Sequence, residues 1–168
     1  MNPTNIATYV SNNPGVHFNE LAEGLGLPPE KLHRAREQLQ QEHSITIAEF
    51  YGQTHYYPPG YEHWERSAIA LLRRETSREI LLVLLADGST TAATLATEVG
   101  IARSTLEWQL DRLLDAGLVS KNRETWPHEI TVERPDDIEA LLAELEPTLP
   151  ERWVDRTTRL LDHLLEDG

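Results

Sequence analysis

The side chains best suited to chemistry in this sequence are hydrogen-bonding groups concentrated between residues 102 and 123. In this stretch Arg103 and Arg112 flank the hydroxyl groups of Ser104 and Thr105 and the amide group of Gln109. Guanidinium, amide and hydroxyl groups offer defined donors and acceptors and make reversible contacts. The stretch therefore predicts recognition by hydrogen bonding rather than covalent catalysis.

Residue types that carry out catalysis or hold metals do not form a recognisable set. Cysteine is absent, which excludes disulfides, thiolate metal ligands and a cysteine nucleophile. The seven histidines have no close spacing on one helical face, so no metal site is indicated. The sequence also contains no Gly-rich phosphate loop and no serine nucleophile elbow. We expect a protein that is not an enzyme and has no cofactor and no metal.

The charge balance is strongly acidic. Acidic residues outnumber basic residues 28 to 15, giving a net charge of −13, and most of the basic residues are arginines. Such a charge normally argues against a nucleic-acid partner, because phosphate is also anionic. This composition is typical of proteins from cells with molar internal salt, where a Debye length of roughly 3 Å screens repulsion. The acidic surface is therefore interpreted as a solvated coat that maintains solubility.

No segment is predicted to enter or cross a membrane. The longest apolar run, residues 80–86, is far shorter than the roughly 18 residues that a membrane span needs. The first residues, Met1-Asn2-Pro3-Thr4, lack the basic and apolar regions of a signal peptide. We expect a soluble, cytoplasmic protein.

An internal repeat lies at an offset of 74 residues. Residues 21–27 (LAEGLGL) align with residues 95–101 (LATEVGI). The shared apolar pattern continues along both copies: Leu32 with Leu106, Leu39 with Leu113, and Ile45 with Val119. We name these copies the first repeat (residues 5–57) and the second repeat (residues 79–132).

The second repeat has the clearer pattern. Its elements are predicted as helices at residues 79–85, 91–99 and 103–116, followed by strands at residues 118–123 and 130–132. Thr76 and Glu79 have the spacing of a capping box at the start of the first of these helices. Leucines at 106, 110, 113 and 114 form the buried stripe of the third helix, and Gly117 ends it. This order of elements is that of a winged helix-turn-helix.

The first repeat has the same order, with helices at residues 5–11, 18–24 and 29–41 and a hairpin at residues 45–57. The predicted fold class is mainly α with small β-hairpin wings, in two tandem winged helix-turn-helix domains plus C-terminal helices. The predicted boundaries are residues 1–60 for the first domain, 61–75 for a linker helix, 76–134 for the second domain and 135–168 for a C-terminal helical dimerisation region.

The segment from Gly100 to Val119, GIARSTLEWQLDRLLDAGLV, resembles the recognition segment of MarR-like and ArsR-like winged-helix regulators. Residues 13–21 (NPGVHFNEL) resemble the first turn of such domains. With the acidic composition, the whole chain is similar to the tandem winged-helix regulators of salt-loving archaea. The resemblance implies sequence-specific binding of double-stranded DNA, generally as a dimer, and transcriptional control.

A recognition helix buries one stripe and presents the other to the major groove, where amide and guanidinium groups read base edges. The positions outside the leucine stripe are the candidate readers: Arg103, Ser104, Thr105, Trp108, Gln109 and Arg112. Candidate phosphate or minor-groove contacts on the second wing are Lys121, Asn122 and Arg123. Alternatively, Trp108 packs on the wing or on a partner subunit, and the arginines are ordinary surface charges.

The first repeat departs from the pattern at Arg36, which aligns with the stripe residue Leu110. This departure leaves DNA contact by the first repeat in question. Its outward candidates are Lys31, His33, Arg34 and Gln38. A further basic patch, Arg66, Arg73, Arg74 and Arg78, either holds phosphates or pairs with acids elsewhere.

The end of the chain carries the candidate dimer interface. Its apolar residues are Trp153, Leu160, Leu161, Leu164 and Leu165. Pairing about a two-fold axis would place two recognition helices on successive half-sites, whereas the alternative is packing within one chain.

Two other functions remain open. A winged helix can serve as a protein-interaction adaptor of the transcription machinery, and a charge of −13 is compatible with that. A ligand-sensing regulator would use Tyr61, Trp64 and Trp153 to line a pocket, although these aromatics are also suited to a core. The sequence identifies no small-molecule effector.

Overall fold

The computed structural model describes residues 3–149. Contacts divide the chain into two compact units, residues 1–70 and residues 71–168. Each repeat lies in a unit of its own. Among the described residues, no helix has both the length and the apolar character needed to cross a membrane.

The first unit contains three helices around a small sheet, followed by a fourth helix. Its elements are α1 (Pro3–Asn12), β1 (Val16–His17), α2 (Phe18–Leu25), α3 (Pro29–Gln41), β2 (Thr46–Phe50), β3 (Gln53–Tyr57) and α4 (His63–Leu72), which ends in the second unit. The sheet is antiparallel in the order β1-β3-β2. Its core includes Val10, Leu21, Leu32 and Tyr56, all fully buried.

The second unit repeats this plan and extends it at the C-terminal side. Its elements are α5 (Glu75–Asp87), β4 (Ser89–Thr91), α6 (Ala92–Val99), α7 (Arg103–Asp115), β5 (Val119–Asn122), β6 (Glu129–Val132) and α8 (Pro135–Leu145), followed by a 3-10 turn at Glu146–Thr148. The sheet is antiparallel in the order β4-β6-β5. Burial of Ile138, Leu141 and Leu145 anchors α8.

The strand register confirms the internal repeat at an offset of 74 residues. Val16 pairs with Tyr56 in the first sheet, and Thr90 pairs with Ile130 in the second. The helices α2 and α6, like α3 and α7, also begin and end at equivalent positions. The turn between α2 and α3 contains Gly26, with a φ of 64°, and the turn between α6 and α7 contains Gly100, with a φ of 80°. Glycine adopts a positive φ without steric strain, so it allows the same turn in both repeats.

The predicted fold class is confirmed: helices predominate, and each repeat carries a small antiparallel sheet. The prediction of two-stranded wings missed β1 and β4, which add a third strand to each sheet. The predicted capping box is wrong, because α5 begins at Glu75 with Arg74 as its N-cap and so contains Thr76 within its first turn. The helix predicted from Glu151 lies outside the described residues.

The residue that follows the C-cap of α3 or α7 has positive φ in both repeats, and this gives a test of the local geometry. Gly117 has a φ of 74° and its equivalent His43 a φ of 57°. Because a side chain is strained in this conformation, Gly117→Ala should lower the free energy of unfolding by about 1 kcal/mol. His43→Gly should raise the free energy of unfolding, because the strain is removed at an exposed position. Urea denaturation followed by circular dichroism measures both, and an unchanged Gly117→Ala transition would contradict the assignment.

Candidate nucleic-acid interface

The helix α7 is oriented by its apolar stripe. Leu106, Leu110 and Leu113 are completely buried and recur at spacings of three and four, so they lie on one side of the helix. Gly100 adopts a left-handed backbone conformation at the C-cap of α6, and α7 then starts at Arg103. The packing of three leucines therefore decides which side chains of α7 face solvent.

We call the opposite side the outer face of α7, and it consists of Ser104, Thr105, Trp108, Asp111, Arg112 and Asp115. Ser104 and Thr105 are exposed, and Trp108 is 54% exposed. The guanidinium carbon of Arg112 lies 3.7 Å from the centroid of the Trp108 ring. This stacking is worth about 0.5–1 kcal/mol at an exposed site. It holds the guanidinium group over the indole ring on the outer face.

Gln109 lies at the edge of the outer face rather than at its centre. Its side chain is half-buried, and its Oε1 accepts a hydrogen bond of 3.0 Å from the hydroxyl of Ser77. Ser77 belongs to α5 and is fully buried. The amide oxygen of Gln109 is thus engaged within the protein, and the amide orientation is fixed by that bond.

Glu107 forms two ion pairs, one within α7 and one that connects α7 to the second wing. Its Oε1 lies 3.0 Å from the Nε of Arg103, and its Oε2 lies 3.8 Å from the Nζ of Lys121 on β5. Two candidate DNA-contacting cations therefore share one carboxylate. Glu107 was not among the predicted site residues, although its (i, i+4) spacing from Arg103 indicated the ion pair within α7.

The tip of the second wing, residues 123–128, is held by local hydrogen bonds. The Oδ1 of Asn122 accepts from the backbone N–H of Glu124 at 3.0 Å, and the Thr125 hydroxyl donates to the carbonyl of Asn122 at 3.1 Å. Arg123 is exposed, and Trp126 is 87% exposed. The exposed Trp126 was missed by the sequence analysis, although a tryptophan beside proline in a predicted turn was a visible signal.

The outward candidates of the first repeat occupy one helix. Lys31, Arg34 and Gln38 are all exposed on α3, and the Gln38 amide donates to Glu42 at 3.1 Å. Arg36 is half-buried and donates to the hydroxyl of Tyr56 at 3.4 Å. The guanidinium group on the leucine stripe is thus accommodated by a polar partner on β3.

The basic residues near the unit boundary do not share one environment. Arg78 is only 1% exposed and donates to the carbonyl of Leu72 at 3.1 Å, so of the two alternatives for this patch its environment favours pairing within the protein over a phosphate contact. Burial lowers the pKa of Arg78, an effect opposed by the charges of Glu75 and Glu79. Arg73 donates to the Thr148 hydroxyl at 2.8 Å.

Two further arginines of this patch are also half-buried. Arg66 donates to the carbonyl of Tyr61. Arg74 forms the N-cap position of α5. The sequence grouped these arginines by proximity along the chain, but their side chains are partly enclosed by the protein.

Comparison with known protein families agrees with this geometry. Residues 73–120, which include α6, α7 and the turn between them, match a family model described as winged helix-turn-helix DNA-binding. Residues 2–69 match a second family model, described as an N-terminal HTH domain. The chain carries two helix-turn-helix domains in tandem. The second is a winged helix-turn-helix domain, and α7 is the second helix of its helix-turn-helix.

No curated protein matches the sequence. Among solved structures, a chain of the endosomal complex ESCRT-II (VPS22/VPS25/VPS36) is similar over 80% of this chain, at 15% sequence identity and a TM-score of 0.33. The alignment covers 61% of the length of that chain.

Proposed function

We propose that this protein is a sequence-specific, double-stranded DNA-binding transcriptional regulator that acts as a homodimer. The observation that carries the proposal is the outer face of α7. It presents hydroxyl, indole and guanidinium groups on the second helix of a domain that matches winged helix-turn-helix DNA-binding proteins. In this motif the second helix enters the major groove and its exposed side chains contact base edges.

Each group on α7 has a role that its chemistry supports. Arg112 is suited to bidentate recognition of guanine, and Ser104 and Thr105 can bond to base edges or phosphates. Trp108 is suited to contact a sugar or a thymine methyl group while orienting Arg112. Ser77 holds the amide oxygen of Gln109, so the proposed base contact of Gln109, at the edge of the interface, is made by its amide nitrogen.

The wing and the first repeat supply the proposed backbone contacts. Lys121, Asn122 and Arg123 lie on the wing, where phosphate contacts would fix the register of α7 without reading sequence. Arg103 joins them at the start of α7. Supporting contacts are assigned to Lys31, Arg34 and Gln38 on α3 and, more weakly, to Arg73 and Arg74, which are partly enclosed.

The acidic composition fits a regulator that works at high salt. At a net charge of −13 the chain repels DNA in dilute buffer, whereas at about 1 M salt the repulsion extends only roughly 3 Å. We therefore place the protein with the MarR-like and ArsR-like regulators of salt-loving archaea. The homodimer is assigned to residues 135–168, of which Trp153, Leu160, Leu161, Leu164 and Leu165 lie outside the described residues.

A protein-interaction adaptor is the second candidate function. Asp111 and Asp115 are exposed on the outer face of α7, beside the side chains proposed to contact DNA. A basic protein partner would favour these carboxylates, whereas a phosphate backbone would disfavour them. Selection of duplexes from a random pool by the full chain in molar KCl separates the two functions. Enrichment of one sequence supports the regulator, and no retention at any salt supports the adaptor.

Arg112→Ala tests whether α7 reads sequence. Loss of one bidentate base contact costs about 1–3 kcal/mol, so affinity for the selected duplex should fall roughly 5- to 150-fold, with little change for random DNA. Gln38 holds the equivalent position in the first repeat and is the matched control. If Gln38→Ala and Arg112→Ala weaken specific binding equally, the second domain is not the main reader.

Glu107→Gln tests the wing and the start of α7. The substitution releases Arg103 and Lys121 from their shared carboxylate, so both cations become available to phosphates. Affinity should rise, and the slope of log K against log salt should steepen by about 0.9 for each phosphate gained. Filter binding over a KCl series measures both quantities.

Glu124→Gln removes the same charge from an exposed wing residue and controls for the change in net charge. Equal effects of the two substitutions would show that only net charge matters.

A further inference from the structure

A cavity of about 270 Å³ lies in the first repeat, between the start of α2, α3 and the turn that joins β2 to β3. Its polar lining consists of His17, Asn19, His33, Arg36, Gln53 and Thr54. All of these residues belong to the first unit, so the cavity is a feature of one folded body. It is smaller than the roughly 300–1,000 Å³ of drug-sized pockets and suits one small polar ligand.

Two polar side chains of this region are not required by the fold, because the second repeat has apolar residues at the equivalent positions. Arg36 is equivalent to Leu110, and Tyr56 is equivalent to Ile130. Leu110 and Ile130 are both buried in the core of the second unit. The first repeat therefore replaces a pair of core aliphatic residues with a guanidinium and a phenol at the same two positions.

Arg36 retains hydrogen-bonding capacity toward the cavity. Its single hydrogen-bond partner among residues 3–149 is the Tyr56 hydroxyl, at the long distance of 3.4 Å. A guanidinium group has five N–H donors in a planar fork, which matches the two oxygens of a carboxylate or phosphate. Burial raises the pKa of Tyr56, so its hydroxyl stays neutral and does not cancel the positive charge of Arg36.

The remaining walls leave room for a ligand beside this charge. The His33 ring stacks on Phe18 with centroids 4.5 Å apart, which gives one flat wall. Gly52 lines the wing-side edge, at the position that Trp126 occupies in the second repeat. A neutral rim of Asn19 and Thr54 supplies additional hydrogen-bonding groups. His17 contributes an imidazole whose Nε2 pairs with Glu20 at 2.9 Å.

We propose that the first repeat binds a small oxyanion, a carboxylate or a phosphate, through Arg36 in this cavity. The oxyanion group comes either from a free small molecule or from a phosphate of the DNA backbone. The first source is independent of the proposed function, whereas the second source rests on it.

Titration of the full chain with inorganic phosphate and with acetate tests the site directly. The backbone amide NMR resonances of His33, Phe18 and Thr54 and the imidazole resonances of His33 should shift and reach a plateau as the anion is added. Chloride keeps the ionic strength constant during the titration. The double variant Arg36→Leu/Tyr56→Ile installs the pair found in the second repeat, and it should weaken binding at least tenfold. Arg36→Gln provides a second variant that keeps a polar side chain at a half-buried position.

Arg134→Gln is the control for charge. It removes one exposed arginine that lies outside the first repeat and outside the proposed DNA contacts, and it should leave the dissociation constants for phosphate and acetate unchanged within about twofold. If Arg134→Gln weakens binding as much as the Arg36 variants do, the anions bind to general surface charge and the proposal is wrong. It is also wrong if neither anion shifts these resonances and DNA binding is unaffected by Arg36→Gln.

DNA binding by the same variants separates the two sources of the oxyanion. If the ligand is a backbone phosphate, Arg36→Gln should weaken binding to all duplexes alike and reduce the salt slope by about 1. If the ligand is a free small molecule, phosphate or acetate should bind the wild-type chain while Arg36→Gln leaves DNA affinity unchanged. If the chain binds no duplex, the proposed function is wrong, whereas the result of the titration with free anions still decides whether the cavity binds an oxyanion.

Discussion

The burial of three leucines on α7 is the constraint on which the rest of the candidate interface depends. Leu106, Leu110 and Leu113 occupy one side of the helix and are completely removed from solvent. Their burial contributes on the order of 1.5–3 kcal/mol per side chain and fixes the rotation of α7 about its axis. That rotation leaves Trp108 exposed and Arg112 half-buried on the opposite side. The wing strand β5 follows α7 directly after the turn at Gly117.

The sequence was most informative where a pattern repeats. Apolar spacing at three and four residues, and glycines at the ends of helices, predicted α2, α3, α6 and α7 closely, and the 74-residue offset is confirmed by strand register. Strands β1 and β4 contain two and three residues. Such strands are too short to show a period of two, and only pairing with a distant strand creates them. The start of α5 was misjudged because capping-box spacing is a local signal, whereas burial of α5 is decided by tertiary packing.

The candidate site was less predictable than the fold, since a side chain's neighbours depend on contacts between elements. Spacing placed Gln109 outside the leucine stripe, but the partner that holds its amide lies 32 residues earlier, on α5. Similarly, Lys121 meets Glu107 only once the wing has folded beside α7. Arg78 looked like one more exposed arginine in sequence, and its nearly complete burial follows from the packing of α5. The composition gives the number of charged residues, whereas packing determines which of them are exposed to solvent.

The difference between the repeats at Arg36 and Tyr56 follows from the cost of burying polar groups. A half-buried guanidinium opposite an aliphatic residue would lack a hydrogen-bond acceptor, and a buried phenol opposite leucine would lack a donor. Either change alone is therefore destabilising, whereas together the Tyr56 hydroxyl accepts a hydrogen bond from one of the five N–H donors of Arg36. The second repeat avoids the problem with Leu110 and Ile130, which pack without polar groups. Because both solutions support the same helices and strand register, the polar pair adds a charge beside the cavity without altering the scaffold that carries it.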